Sequence, residues 1–485
     1  MNLQGRQVIK LDITRNDLED VEIVCNAINN GMSVHSKNRI EMEYLLNYYK
    51  GRQPVLDKEK EIRPEINNKM VLNHAQMITR KIVGYFLGNP IQYISSGTTG
   101  KKELIDELNV YTKYENKATV DKELGEYQSI LGTAYRIIYR DGDFSGRVDG
   151  EVPFEDRALD PLNTFVIYES NISGYPLLGA TYHDVNNALG EFEGTRYYAY
   201  TDFGRYEFLS QGKDALTPED LVEFIPYEVG GIPIIEYPNN LWRIGDWEFA
   251  TGLMDAINSM SSGRLDDIDQ IIQSLLVFIN ADIDEEVYRE MRKEGVVILK
   301  STDNNRSDVK TILNSLDQSG MNLFAKELEE KLFSLVGVPD RNDGASGGDT
   351  GLAIELRDGW ADLETICKNK ELVFMESEKR TLDVMLHIFN IGRTEKLNKL
   401  DLDIKFSRNK NNNMLVKTQS FQTLLSSRTL NPEDCLSIVD LVSDPNDYIE
   451  RGQAFWGDEF ANGDKSQPKE GEDITKIDNN AKSRI

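Results

Sequence analysis

The sequence is poor in cysteine and histidine, and the few it has are scattered. Three cysteines, Cys25, Cys367 and Cys435, lie far apart in 485 residues and form no CxxC pair. This spacing excludes a disulfide framework and a zinc ribbon, and it is typical of small apolar residues in a reducing compartment. The four histidines show no metal-ligand spacing, and GxSxG, HExxH and Cys–His arrangements are absent. The sequence therefore offers no enzyme constellation.

Long apolar runs and an excess of basic residues are also missing. No run of about 18 apolar residues occurs, which excludes a membrane-spanning helix, and residues 1–22 are too charged for a signal peptide. Acidic residues number 82 against 55 basic ones, which gives a net charge of −27. This balance argues against tight nucleic-acid binding and against docking on anionic membranes. The remaining composition is that of a globular chain with about two to four folding units.

Sequence periodicity divides the N-terminal half into a helical part and a strand-rich part. Apolar spacing predicts helices over 21–29, 38–50 and 73–87, the last ended by Gly88-Asn89-Pro90. Six short β-rich runs follow, and residues 201–205 between two of them are typical of a hairpin turn. The runs cover 134–141, 163–169, 177–184, 196–202, 204–210 and 221–228. The order predicts an α+β fold that is mainly α.

The C-terminal half is predicted to be mostly helical, with a few strands and a mobile tail beyond Trp456. Amphipathic helices are predicted over 249–276, 322–336 and 352–391, with two or three more within 413–453. Strands are predicted over 295–300 and 402–406, and 275–279 is a short apolar run at the end of the first of these helices.

A glycine-rich segment, residues 340–351, separates the second of these helices from the third. It lacks the GK[ST] ending of a P-loop and follows a helix, so the pattern does not favour nucleotide binding. Glycines at 344, 347 and 348 indicate a loop with alternative conformations instead.

Two acidic groups have the oxygen ligands of a metal site, and each has a simpler interpretation. Asp141, Asp143, Ser145 and Asp149 match positions 1, 3, 5 and 9 of a calcium loop, but position 12 is a valine and a strand precedes them. A hairpin turn explains the same residues, and no cofactor or other metal is expected. Asp266, Asp267 and Asp269 could hold Mg²⁺ in a nuclease. No histidine or lysine lies nearby in sequence, so a solvated acidic face is the simpler interpretation.

Several short motifs occur in an order that resembles one protein family over residues 40–455. They are Tyr48-Tyr49-Lys50-Gly51-Arg52-Gln53-Pro54, Asn67 to Asn73, Ile82 to Ile91, Gly132 to Tyr135, Asp160-Pro161, Gly231 to Asn240, Gly337-Val338-Pro339 and Gly351 to Ile354. Together they resemble the portal proteins of tailed bacteriophages, the head-to-tail connectors, of the siphovirus type common in phages of Gram-positive hosts.

The resemblance implies a ring, usually of twelve subunits, at one capsid vertex, with an axial channel for packaging and ejecting double-stranded DNA. It divides the chain into a wing (1–245, completed by 392–411), a stem helix (246–276), a small α/β clip (277–319), a second stem helix (320–337), a tunnel loop (338–351), a long wing helix (352–391), a helical crown (412–455) and a mobile tail (456–485). It also implies no catalysis, since ATP hydrolysis belongs to the terminase motor.

The resemblance further implies where DNA and partners are met. The tunnel loop facing DNA comprises Arg341, Asn342, Asp343, Gly344, Ala345, Ser346, Gly347, Gly348 and Asp349. The clip residues implied to dock partners are Asp282, Asp284, Glu285, Glu286, Arg289, Arg292 and Lys293. The implied partners are other copies of the chain, the terminase motor, head-completion or adaptor proteins, and the major capsid and scaffolding proteins, with DNA passing without sequence-specific binding and no membrane. Assembly in the host cytoplasm and a place in the virion follow.

Two other functions fit the residues less well. A generic oligomeric scaffold of helices with an acidic face predicts no closed ring. A magnesium-dependent nuclease predicts DNA cleavage that is lost on Asp266→Asn or Asp269→Asn.

Overall fold

The computed structural model divides the chain into two compact units, Met1–Asn409 and Lys410–Ile485. It describes residues 3–96, 101–140, 151–212, 215–227, 229–272, 275–279, 289, 308–312, 318–339, 360–408, 414–427, 430–439, 442, 448–449 and 451–452. Within these ranges the structure is a mixed α/β fold with more residues in helices than in strands, as the sequence predicts.

The described helices are α1 (Val21–Tyr49), α2 (His74–Phe86), α3 (Lys102–Tyr114), α4 (Lys117–Leu131), α5 (Thr251–Ile272), α6 (Gln318–Val336) and α7 (Trp360–Phe389) in the first unit, and α8 (Met414–Ser426) and α9 (Pro432–Val439) in the second. The described strands are β1 (Ile9–Leu11), β2 (Gln92–Ser95), β3 (Thr133–Arg140), β4 (Phe154–Leu159), β5 (Thr164–Glu169), β6 (Pro176–Asn186), β7 (Phe192–Tyr200), β8 (Gly204–Ser210), β9 (Leu221–Pro226), β10 (Ile234–Pro238), β11 (Leu275–Ile279), β12 (Asp308–Ile312) and β13 (Leu402–Lys405).

The six predicted β-rich runs are all strands. Five of them join β1 in a sheet of order β1-β5-β6-β7-β8-β9, in which only β1 and β5 run parallel. The predicted hairpin is also confirmed, since the Thr201 N–H donates to the Gly204 carbonyl at 3.0 Å between β7 and β8. The sixth run, β3, pairs with β10 and β4 in a second sheet.

The first two predicted helices are one continuous helix, α1. The separation predicted at 30–37 was wrong because the buried residues of this stretch are a glycine and a histidine, Gly31 and His35, rather than large apolar residues, which hides the helical period. The His35 ring lies 3.0 Å from the Leu162 carbonyl, and Asn38 exchanges hydrogen bonds with the backbone of Gln7 at 2.9 Å. Gly31 is required in this stretch because a Cβ there would lie 2.5 Å from the Phe165 ring.

The N-terminal half of α1 packs on the six-stranded sheet, and its C-terminal half packs in the larger core. That larger core gathers α2, α4 and α7 around the second sheet, with Trp247 and Phe374 fully buried. The helices α3 and α4 and the strands β1, β2, β4, β10 and β12 had no counterpart in the sequence prediction.

The helix α5 ends at Ile272, earlier than predicted, and the next apolar residues form β11. This strand pairs antiparallel with β12, with Leu275 opposite Ile312. A run of five apolar residues has no polar face, so periodicity cannot distinguish a strand from a buried helix end. The predicted start of α7 at 352 and the predicted strand at 295–300 lie outside the described residues.

Candidate functional site

A chain segment whose one regular element is a short 3-10 helix, Pro54–Asp57, crosses one face of α5 and binds it at successive turns. We call residues 53–72 the strap. The face of α5 that it covers carries Asn258, Ser262, Asp266 and Asp269, and the first three of these are buried. Residues three and four apart lie on one side of a helix, so these four polar side chains form a continuous stripe.

The strap and the stripe match in register. The backbone N–H of Leu72 donates to Asn258 Oδ1 at 2.8 Å. The N–H of Met70 donates to Ser262 Oγ at 2.9 Å, and the N–H of Asn68 donates to Asp266 Oδ1 at 2.6 Å. Two residues of extended chain advance about 6.6 Å, and four helical residues advance about 6.0 Å. Alternate strap residues therefore meet successive turns of α5.

Asp266 is the ionic centre of this interface. Its side chain is 1% exposed and lies 2.7 Å from Lys58 Nζ and 2.6 Å from Lys60 Nζ, and Asn68 Nδ2 donates to it at 3.0 Å. Burial raises the pKa of Asp266, but the hydrogen bonds from Lys58, Lys60 and Asn68 outweigh it and hold the pKa well below its usual value. Asp269 also accepts from Asn68 Nδ2, at 2.7 Å.

The interpretation of these aspartates as a solvated acidic face was therefore wrong for Asp266. Its partners Lys58 and Lys60 are about two hundred residues away in sequence, so no local pattern could have found them. In the part of the chain that the structure describes, no group of three or more His, Cys, Asp or Glu side chains could hold a metal ion.

The motif residues near the strap have structural roles at its two ends. Asn258 Nδ2 donates to Gln53 Oε1 at 2.5 Å, and the Tyr48 hydroxyl donates to Asp255 Oδ1 at 2.9 Å. Asn73 caps α2 and its amide donates to the Tyr49 carbonyl at 2.8 Å. The short motifs therefore mark the contacts that hold the strap between α1, α2 and α5.

One face of α2 also holds the two ends of the segment 340–359, which is outside the described residues. Lys81 Nζ donates to the Pro339 carbonyl at 2.7 Å, just after α6. One turn later the Tyr85 hydroxyl donates to Glu364 Oε2 on α7 at 2.7 Å, and its ring lies 5.6 Å from the ring of Trp360. Lys81 and Tyr85 together fix where the chain leaves α6 and enters α7.

The residues predicted for DNA and partner contacts fall almost entirely outside the described ranges. This applies to the nine tunnel-loop residues, Arg341 to Asp349, to the calcium-loop residues Asp141, Asp143, Ser145 and Asp149, and to every clip residue named above except Arg289. Arg289 is exposed.

A buried charge cluster attaches α7 to the second sheet. Its members are Lys117, Asp121, Arg136, Asp156 and Glu378, all at most 4% exposed in their side chains. Glu378 accepts from Arg136 at 2.9 Å and lies 2.7 Å from Lys117 Nζ. Arg136 also pairs with Asp121. Side chains buried to this degree are inaccessible to a substrate, so the role of the cluster is to attach α7 to the second sheet.

Two of the three carboxylates around Arg136, Asp156 and Glu378, have pKa values shifted in opposite directions. Burial raises the pKa of Asp156 to about 7 against the attraction of Arg136, and neither of its oxygens accepts a hydrogen bond. Burial also raises the pKa of Glu378, but Lys117 and Arg136 outweigh it and lower the pKa to about 2. The two pKa values differ because the charged form of Glu378 accepts hydrogen bonds and the charged form of Asp156 does not.

Comparison with known proteins supplies a family. A model of the family "Phage portal protein, SPP1 Gp6-like" matches residues 32–455. No curated protein sequence matches the chain. Among the helices that the structure describes, none is long enough and apolar enough to cross a lipid bilayer.

Solved structures show only distant similarity. A chain of "Virion of native gene transfer agent (GTA) particle" is 12% identical with a TM-score of 0.41, over 83% of this chain and 94% of that one. A chain of "Neck of empty GTA particle computed with C6 symmetry" is 11% identical with a TM-score of 0.39, over 76% and 89% of the two chains.

Proposed function

The chain belongs to the SPP1 Gp6-like family of phage portal proteins, and we propose that it forms the ring at the unique capsid vertex through which double-stranded DNA enters and leaves. The family match over residues 32–455 carries this proposal. The family is structural rather than enzymatic and implies an oligomeric ring in a phage particle. The siphovirus type and the Gram-positive host are part of the proposal.

The segments implied by the family then take mechanical roles. The helices α5 and α6 are the stem, residues 277–319 the clip, 338–351 the tunnel loop, 412–455 the crown, and the remaining first unit the wing. The strap supports this proposal, because hydrogen bonds at successive turns of α5 let a long helix carry force along its axis without bending. The contacts of Lys81 and Tyr85 support it as well, since a moving loop needs fixed ends.

Charge supports a channel that DNA passes without sticking. The chain carries −27 overall, and residues 246–294 alone hold 12 acidic and 4 basic side chains. Three of the acidic ones, Asp246, Glu248 and Asp266, are buried in ion pairs and do not count toward a channel lining. Each phosphate contact made by a basic residue adds affinity, and hence friction, during translocation. An acidic lining avoids this by repelling the phosphates.

Electron microscopy of the purified protein, with mass photometry on the same sample, tests the ring. We expect closed rings of about twelve subunits with a central hole of roughly 20–40 Å, the scale of a DNA duplex. A protein that stays monomeric at micromolar concentration, with its fold intact, contradicts the proposal and favours the generic scaffold.

The tunnel loop is tested by packaging. Replacing Gly344, Gly347 and Gly348 together by alanine should reduce DNA packaging while rings still assemble, because alanine restricts the backbone. Normal packaging by the triple variant would show that the loop needs no such freedom.

The clip is tested by binding. Reversing Asp284, Glu285 and Glu286 to lysine should weaken association with the terminase motor or the adaptor protein, while ring formation persists. Unchanged binding of both partners would remove these residues from the docking surface. Incubation with DNA and Mg²⁺ tests the nuclease alternative, for which Asp266 is poorly suited because two lysines already pair with it.

A further inference from the structure

In the first unit, some glutamate carboxylates bind a tyrosine and an arginine at the same time. Around Glu107, Arg393 donates to both carboxylate oxygens at 2.7 Å, and the Tyr111 hydroxyl donates to one of them. A second group of this kind comprises Tyr168, Glu236 and Arg243. We call such a group a closed triad, because the carboxylate is hydrogen-bonded to both partners.

The triad of Tyr85, Glu364 and Arg408 is open instead. The Tyr85 hydroxyl donates to Glu364 Oε2 at 2.7 Å, whereas Arg408 Nε lies 3.7 Å from the same oxygen, beyond hydrogen-bond distance. The Arg408 side chain is 7% exposed, and its Nε and Nη1 make no hydrogen bond in the part of the chain that the structure describes. A buried donor without an acceptor has lost its hydration and gained no bond in exchange, so a carboxylate that reached Arg408 Nε would stabilise it.

Both donors of the open triad are held in place, so the carboxylate between them is the group that can move. Arg408 pairs with Glu371 through Nη2, and Asn89 Nδ2 donates to its backbone carbonyl at 3.0 Å. The ring of Tyr85 is buried. The Glu364 side chain is 20% exposed, and a shift of about 0.5–1 Å would bring its Oε2 within hydrogen-bond distance of Arg408 Nε.

We propose that Glu364 is a two-position switch, whose carboxylate binds Tyr85 in this structure and moves to Arg408 Nε when the contact with Tyr85 is lost. Lys368 Nζ lies 3.8 Å from the other oxygen, Oε1, but is 69% exposed and contributes little to either position. Glu364 lies near the start of α7, and Arg408 is followed by Asn409, the last residue of the first unit. The switch therefore couples the start of α7 to the chain that leaves the first unit. The inference goes beyond the proposed function and does not depend on ring formation.

A double-mutant cycle between Tyr85 and Arg408 tests the switch. Tyr85→Phe removes the first donor, and Arg408→Lys removes the Nε donor but keeps a positive charge beside Glu371. In the wild-type background the released carboxylate gains a bond to Arg408, and in the lysine background it does not. We therefore expect Tyr85→Phe to raise the unfolding equilibrium constant about fivefold more in the lysine background, as for coupled groups of one network. Denaturant unfolding of the four proteins, monitored by circular dichroism, measures this.

The closed triad at Glu107 provides the matched control. Tyr111→Phe and Arg393→Lys make the same two changes around a carboxylate that already binds both partners. Because Glu107 has no further bond to gain, Tyr111→Phe should cost no more stability in the Arg393→Lys background than in the wild type. The same fivefold coupling in the control would show that it does not come from an open triad, and would overturn the inference.

A high-resolution structure of the Tyr85→Phe variant gives an independent measurement, which does not require the lysine variant to fold. We expect Glu364 Oε2 within about 3.2 Å of Arg408 Nε, with the pair between Arg408 and Glu371 retained. A Glu364 carboxylate that stays in its wild-type position, or additive effects in the cycle between Tyr85 and Arg408, would overturn the switch. Neither result bears on the proposed ring, because both measurements concern the folded chain alone.

Discussion

The helices α5 and α7 are held to the first unit by opposite means. The strap binds α5 through hydrogen bonds spread over several turns: three join neutral groups, and the others end on the carboxylates of Asp266 and Asp269. The second sheet binds α7 through a few fully buried charges that converge on Glu378, with Lys370 and Asp246 as a second ion pair at 2.7 Å. One attachment is distributed and the other is concentrated.

The difference predicts different responses to damage. Each bond of a distributed attachment contributes about 0.5–1.5 kcal/mol, and losing one leaves the others in place. In a concentrated cluster, removing one partner leaves buried charges uncompensated, which costs far more than the pair contributed. In the proposed ring, the distributed attachment suits a helix that transmits force and the concentrated one suits a fixed anchor.

Removing Glu378 should give the largest effect. Glu378→Ala leaves Arg136 and Lys117 buried without their shared carboxylate, and we expect the free energy of unfolding to fall by about 3–5 kcal/mol. Denaturant unfolding monitored by circular dichroism measures this. The control is Arg380→Ala on the same helix, which breaks an exposed ion pair with Glu376 and should change stability by less than about 1 kcal/mol. Equal losses of stability in the two variants would contradict the interpretation that buried charges at Glu378 hold α7.

The second effect is a pH dependence that originates at Asp156. Its pKa of about 7 in the folded protein lies above the ordinary value, so the folded state binds more protons between about pH 4 and pH 7. The stabilisation that this group gives the folded state is fully present below pH 4 and is lost as the pH rises through 7. Over that range the free energy of unfolding falls by up to about 1.4 kcal/mol per pH unit. Asp156→Asn should flatten that slope. The lowered pKa of Glu378 changes the free energy of unfolding in the opposite direction, and only below pH 4.5. If wild type and Asp156→Asn show parallel stability curves from pH 4 to 7, the slope does not come from Asp156.

The attachment that sequence could not predict is the concentrated one. The six predicted runs are rich in β-branched and aromatic residues and are bounded by turn residues, so their composition alone predicts strands, five of which lie in the main sheet. The helices α3 and α4 were missed, although α4 supplies Lys117 and Asp121 to the cluster. Their partners Arg136 and Glu378 come from distant elements, and nothing in the local pattern of Glu378 on α7 separates it from a surface glutamate.

The sequence indicates some residues of the interface between the strap and α5, but not that they are in contact. Gln53 and Asn68 of the strap belong to the family motifs, as does Asn73 directly after it, and Asp266 belongs to an acidic cluster in the sequence. Only the fold brings the two observations together, because about two hundred residues separate them. The motif pattern therefore located the interface but could not say what it binds.

Asp266 offers a graded test of the distributed attachment. Asp266→Ala leaves Lys58, Lys60 and the Asn68 N–H without their acceptor, and we expect a loss of about 1–3 kcal/mol. Hydrogen exchange should accelerate strongly at Asn68 and only weakly at Leu72, whose acceptor on α5 remains. Asp269→Ala removes one bond to Asn68 and should have a smaller effect on both measurements. Uniform acceleration along the whole strap would show that it detaches as a unit.

The smallest effect is expected at the base of the segment 340–359. Tyr85→Phe removes the hydroxyl that donates to Glu364 Oε2 but keeps the ring against Trp360, so we expect a loss of about 0.5–1.5 kcal/mol. The change should be local, because the contact of Lys81 with the Pro339 carbonyl holds the other end of the segment independently. Hydrogen exchange should therefore accelerate at the start of α7 and not at the end of α6. Acceleration at both ends would mean that α2 holds them cooperatively, as the buried charges hold α7.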